Sequence, residues 1–154
     1  MERWLHGALT LSLAPLLLVQ GRWVRRRTPL LPEPPGPRAG VIGQGPVLRL
    51  LIVGDSSAAG VGAAHQDEAL SGRLTQALSR DFTVHWTLLA CTGHKLADVR
   101  AAVRGLPAEP FDVVVAAVGV NDATGRTRMA HWLHGLQALV TELQHRHQAK
   151  QVIL

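Results

Sequence analysis

The chain has 154 residues, 47% of them hydrophobic and 18% charged, which is enough for one packed domain, too little for two, and incompatible with disorder throughout. The single cysteine, Cys91, closes no internal disulfide and seeds no zinc cluster, so a cross-linked secreted scaffold is excluded and a reducing compartment fits. The net charge of +5 would suit nucleic acid, yet residues 1–40 hold six Arg against two Glu while the remainder holds ten Lys and Arg against nine Asp and Glu, so the basicity sits in the head and no nucleic-acid partner is expected.

Leu5 to Val19 carries no charge and is bracketed by Trp4 and Trp23. As a helix, the steps between the two tryptophans span about 28 Å, near the roughly 30 Å of a bilayer's hydrocarbon. Residues 1–28 are therefore expected to be a hydrophobic anchor or targeting segment with a basic flank. The run is shorter than a usual spanning helix and is weakened by His6, Gly7 and Pro15, and no A-x-A-like cleavage site follows it. A retained anchor, a signal or targeting segment, and an interfacial or soluble helix all stay open. Arg22, Arg25, Arg26 and Arg27 outweigh Arg3, which by the positive-inside bias leaves the following domain cytoplasmic, with export as the alternative. The same arginines suit anionic lipid headgroups, so membrane contact is expected through residues 4–27. Residues 29–45, with five prolines between Pro29 and Pro37, read as a semi-rigid linker.

The domain is expected over residues 46–154. Val47 to Val53 is a nearly unbroken apolar run ending in Gly-Asp-Ser-Ser, which predicts a strand buried on both faces. A helix follows over Asp67–Arg80, with Leu70, Leu74, Ala77 and Leu78 on its apolar face. Phe82–Ala90 reads as a second strand, Leu96–Arg104 as a helix, Asp112–Val118 as a third strand and Arg126–His147 as a long helix. Gln-Val-Ile-Leu at the end looks like a fourth strand beginning. This alternation predicts an α/β fold, a parallel sheet with helices on both faces. Ligands of such sheets bind beyond the carboxyl ends of the strands. Those ends carry Gly54-Asp55-Ser56-Ser57, Ala90-Cys91-Thr92-Gly93 and Gly119-Val120-Asn121-Asp122.

A hydroxyl at Ser56, where the first strand turns toward a helix, can act as a nucleophile. Acyl transfer also needs donors for the oxyanion, and Gly93 can offer a bare backbone N–H and Asn121 a neutral NH₂. Gly54-Asp55-Ser56 with Gly60, then Thr92-Gly93, then Gly119-Val120-Asn121-Asp122, in that order on successive strand ends, resemble the SGNH or GDSL-type esterases and lipases over Val47 to Leu154. The resemblance implies a flavodoxin-like three-layer fold and a small ester or lipid substrate. It also implies Ser56 as catalytic nucleophile, and an oxyanion hole from Ser56, Gly93 and Asn121. Asp55 and Asp122 are candidates for supporting the site, although Asp55 beside a strand end more simply fixes the turn. The family's closing Asp-x-x-His, which supplies the general base, does not occur in this sequence, so the chain is expected to be a fragment, incomplete at the C-terminus, and inactive or nearly so alone. A non-catalytic, membrane-tethered domain of the same fold that binds an acyl or acetylated ligand is the alternative.

No cofactor or metal is implied. His131 with His134 and His145 with His147 lack an Asp or Cys to complete a ligand set. His94 has nothing to direct it as a substitute base, and Cys91 reads as a small buried strand-end residue. The run Gly54 to Gly62 fits neither a P-loop nor a dinucleotide fingerprint, and it lacks the second glycine of the nucleophile elbow.

Overall fold

The structure is a computed structural model that describes residues 2–154; the side chains of residues 2–12 and of Arg25 lie outside the described residues. The chain divides after Leu31 into two compact units.

The first unit carries helix α1, Glu2–Arg27, with Pro15 inside it. Among the described residues no helix is long and apolar enough to cross a membrane. The uncharged stretch Leu5–Val19 rises only about 22 Å as a helix, and Arg22, Arg26 and Arg27 belong to the same helix. Trp4 and the other side chains of the amino-terminal half, which the membrane expectation also used, lie outside the described residues. Leu16, Leu17, Leu18 and Val19 are all exposed. Consecutive helix positions turn by about 100°, so these four surround the helix rather than form one apolar stripe.

The second unit, from Pro32, is an α/β domain. Its elements are β1 (Ala39–Ile42), β2 (Val47–Gly54), α2 (Ser56–Ala59), α3 (Leu70–Leu78), β3 (Thr83–Ala90), α4 (Leu96–Gly105), β4 (Val113–Ala117), α5 (Val120–Thr124), α6 (Met129–Arg146) and β5 (Gln151–Ile153). They form one five-stranded sheet in the order β1-β3-β2-β4-β5. The four strands from β2 onward pair in parallel, and taken alone they run in the flavodoxin-like order 2-1-3-4. β1 adds an antiparallel edge against β3, which changes the expected all-parallel sheet to a mixed one.

That edge strand arises from the stretch read as a linker. All four of its residues are exposed, so no alternation of apolar and polar positions marks it. A Cβ at Gly40 would meet the Trp86 indole at 3.1 Å, and the absence of a side chain there lets β1 lie against β3.

β2 sits at the centre and both of its faces are covered. Leu51 and Val53 pack with α4, α6 and β4 through Val99, Val103, Val114, Leu139 and Leu143. Leu50 and Ile52 pack on the other face with Ala58, Ala59, Val84 and Leu88. The four β2 residues Leu50 to Val53 are fully buried, as a strand of near-continuous Leu, Ile and Val requires. The inward face of α3 follows the expectation at Leu74 and Leu78, which pack against the core, and differs from it elsewhere. Ser71 and Thr75 are buried, while Leu70 is exposed and Ala77 faces solvent. Both buried hydroxyls find acceptors, Ser71 on Gln66 Oε1 at 2.9 Å and Thr75 on the Ser71 carbonyl at 2.8 Å, and these bonds offset the desolvation of a polar inner face.

Candidate active site

The three polar strand ends share one level of the sheet. Gly54 at the end of β2 is the register partner of Ala90 at the end of β3 and of Ala117 at the end of β4. Neighbouring strands lie about 4.8 Å apart. The loops carrying Ser56, Gly93 and Asn121 therefore leave the sheet side by side, at the point where the connection changes direction across it.

Gly54 makes the close turn out of β2. A Cβ there would stand 2.2 Å from the Ala117 carbonyl oxygen and 2.8 Å from Ala58 Cβ, so only a glycine lets β2, β4 and α2 meet. The Asp55 N–H continues the ladder to Ala117 O at 3.1 Å. Asp55 is buried and caps α2, its Oδ1 accepting from the Ser57 N–H at 2.9 Å and the Ser57 hydroxyl at 2.8 Å. Because Asp55 does the capping, the half-buried Ser56 is left as first residue of the helix. An N–H in the first turn has no carbonyl one turn back.

Gly93 lies in the turn after β3. The His94 N–H donates to Cys91 O at 3.2 Å and Gly93 has φ +85°. A turn with positive φ at its third residue is a type II turn, and it selects glycine. Nothing beyond its own chain neighbours lies within 4 Å of where a Gly93 Cβ would be, so that side of the turn is open. Cys91, expected to be buried, is exposed. The strand ends at Ala90, and the turn carries Cys91 beyond the helices that cover the sheet.

Asn121 is the second residue of α5, which starts from Gly119 at φ +136°. A Cβ on Gly119 would press at 3.3 Å on the Trp132 ring. The half-buried Asn121 amide donates from Nδ2 to the His94 carbonyl at 3.0 Å. An NH₂ has two hydrogens, so the second is not used by this bond. Asp122 is buried. Its Oδ2 accepts from the Leu96 N–H at 2.9 Å, at the start of α4, and its Oδ1 from the Thr127 hydroxyl at 3.2 Å. Both Asp122 carboxylate oxygens thus tie together segments that flank the rim.

Four of the histidines lie on or just beyond α6. His147 is fully buried and faces the Glu109 and Val103 carbonyls at 3.3 Å each, next to Phe111 and the amino end of β4. His131, His134 and His145 are exposed on α6. Among the described residues no three His, Cys, Asp or Glu side chains group as a metal site. A cavity of about 950 Å³ lies elsewhere, between β1, the loop at His65–Glu68 and α3, and none of Ser56, Gly93 or Asn121 lines it.

Two residues that sequence reasoning counted only as charges reach the rim. Glu33 Oε1 accepts from the Thr92 N–H at 2.6 Å and the Thr92 hydroxyl at 2.8 Å, and its Oε2 from Arg38 Nη1 at 2.7 Å. Arg38 Nη2 donates to the Ala90 carbonyl. The Arg38 hydrogen bond foremost, then that of the Thr92 N–H, holds the Glu33 carboxyl down at about 2. No local signal exposes this contact, because Glu33 and Thr92 are 59 positions apart.

Residues 52–154 match the model of the GDSL-like Lipase/Acylhydrolase family. Among solved structures the chain is similar to Axe2, an acetylxylan esterase from Geobacillus stearothermophilus, at TM-score 0.53 and 20% identity over 68% of this chain and 57% of that one. A catalytic mutant of the same esterase aligns at TM-score 0.55 and 19% identity over 72% and 60%. A further variant aligns at TM-score 0.52 and 20% identity, over 72% of this chain and 59% of that one. This chain therefore spans under two thirds of the length of these structures, and the likeness establishes the fold. No curated protein matches the chain.

Proposed function

The chain belongs to the GDSL-like lipase/acylhydrolase family, and from that premise we propose that the rim is the acyl-transfer site of a serine hydrolase acting on carboxylic esters. The observation that carries the reading is the register of Gly54 with both Ala90 and Ala117, which supports Ser56, Gly93 and Asn121 acting on one small volume. Ser56 Oγ adds to the ester carbonyl carbon as its proton passes to a base, and the C=O electron pair moves onto oxygen. The N–H groups of Ser56 and Gly93 and the free hydrogen of Asn121 Nδ2 receive that oxyanion. Collapse expels the alcohol with a proton and leaves an acyl group on Ser56, which water then removes by the same route.

No Asp-x-x-His stands in these 154 residues. The chain by itself is accordingly proposed to lack its base and to be inactive or nearly so. Incubation with a fluorophosphonate tests both statements. The probe should add to Ser56 with loss of fluoride, slowly alone and faster when imidazole is supplied as proton acceptor, and Ser56→Ala should take no label. Equal labelling of Ser56→Ala refutes the nucleophile, and ordinary Ser56-dependent ester turnover without added base refutes the missing-base argument. The absent Asp-x-x-His also favours a second reading, a non-catalytic domain of this fold that holds an acyl or acetylated ligand. Retention of acetylated ligand with no Ser56 labelling at any imidazole concentration selects it.

A further inference from the structure

The turn that presents Gly93 has little packing of its own. Cys91, Thr92 and Gly93 are exposed, and nothing beyond its own chain neighbours lies within 4 Å of where a Gly93 Cβ would be. A loop held by so few contacts samples several conformations, whereas an oxyanion donor works only if it is fixed before charge develops. Two polar anchors flank Gly93 instead. His94 is held through its carbonyl by Asn121 at 3.0 Å, and Thr92 through its N–H and hydroxyl by the Glu33 carboxylate. Arg38 joins that carboxylate to the Ala90 carbonyl, so one ion pair grips the turn at its root and at its second residue.

The segment bearing Glu33 is itself fixed to the domain. The buried Gln66 donates from its backbone to Pro35 O at 3.0 Å and from Nε2 to Ala59 O at 2.9 Å. A Cβ at Gly36 would strike Gln66 Cβ at 2.8 Å, so the two chain segments are in close contact. The strap then runs directly into β1, paired with β3.

We propose that Glu33 and Arg38 are positioning residues for the acyl-transfer site, holding the Cys91–His94 turn so that the Gly93 N–H faces the oxyanion before an ester arrives. Neither residue touches substrate. The proposal rests on the acyl-transfer reading above. A charged acceptor is needed because one carboxylate oxygen must hold two Thr92 donors while the other holds Arg38; an amide in its place would offer only one acceptor oxygen.

The test uses the whole chain and two readouts: the rate of fluorophosphonate addition to Ser56 with imidazole present, and hydrogen exchange at the Thr92 and Gly93 amides. Glu33→Gln should label at least about fivefold more slowly at saturating probe, with the half-saturating probe concentration unchanged, and both amides should exchange faster. A merely structural role would lower the melting temperature and leave labelling at 25 °C untouched. Labelling of folded Glu33→Gln at the wild-type rate overturns the proposal, as does unchanged exchange at Thr92 and Gly93. If Glu33→Gln does not fold, Thr92→Val removes only the hydroxyl bond and is read by the same two criteria. If wild-type protein takes no label at Ser56, the hydrolase reading itself falls, which exchange data cannot mimic, and this proposal falls with it.

Discussion

Replacing Gly54 by alanine puts a methyl group where the sheet has no room. The added Cβ lies 2.2 Å from Ala117 O and 2.8 Å from Ala58 Cβ, roughly 1 Å inside ordinary contact with each. Ala117 O cannot simply retreat, because it accepts the Asp55 N–H at 3.1 Å. Overpacking of this kind costs about 1–3 kcal/mol, and loss of the Asp55 bond adds about 1 kcal/mol. Gly54→Ala should therefore destabilise the domain by about 2–4 kcal/mol, a large share of the roughly 5–15 kcal/mol typical of such domains. Gly93→Ala is the control: its φ of +85° is left-handed but its surroundings are empty, so the cost is limited to about 1–2 kcal/mol of backbone strain. Urea unfolding followed by the fluorescence of Trp86 and Trp132 measures both, with slopes expected to match wild type. A Gly54→Ala variant within about 0.5 kcal/mol of wild type, or one less perturbed than Gly93→Ala, would refute the steric account of the rim.

Glu33 titrates at about 2 in the folded domain, below its ordinary 4.5. A depressed carboxyl stabilises fully above its unfolded value and loses that contribution as pH falls through the folded one. The stability difference between wild type and Glu33→Gln should thus be constant near neutrality and shrink as pH falls from about 4.5 toward 2; a difference that is flat over this window contradicts the ion pair. Gln66→Leu should cost about 1–3 kcal/mol by stranding the Ser71 hydroxyl and the Ala59 carbonyl it now bonds, and thermal unfolding at wild-type temperature would show those bonds to be dispensable. The exposed Leu16 to Val19 with Arg22, Arg26 and Arg27 should carry the chain to anionic vesicles in flotation, with deletion of residues 1–28 abolishing it. Flotation that survives the deletion locates the lipid contact in the domain instead.

The elements that the sequence made legible are those whose burial imposes a pattern. β2 is covered on both faces and reads as an unbroken apolar run, and α6 buries Leu139 and Leu143 at helical spacing. The rim was legible because each of its loops follows such a strand and carries Gly, Ser or Asn for reasons of turn geometry. β1 was hidden: its four residues are exposed and its partner lies far along the chain, so local composition spoke only of proline. α3 was legible only in part: Leu74 and Leu78 pack on the core as expected, but its buried Ser71 and Thr75 are compensated by Gln66 and by the helix backbone, which no hydrophobic count detects. The clamp from Glu33 to Thr92 joins distant charges, and charge alone does not say with what it pairs.

The pairing of β1 with β3 has a consequence for biosynthesis. On the ribosome Ala39–Ile42 emerges well before Thr83–Ala90, its sole sheet neighbour, and at about 5–20 residues per second the wait is on the order of 2–10 s. During that interval the early strand has no template, while β2 can begin to collapse only with the later helices and strands that cover it. The amino-terminal strap is thus the first part of the domain to be made, yet β1 stays unpaired until β3 has emerged, and the Glu33–Thr92 clamp beside Gly93 closes no earlier than that.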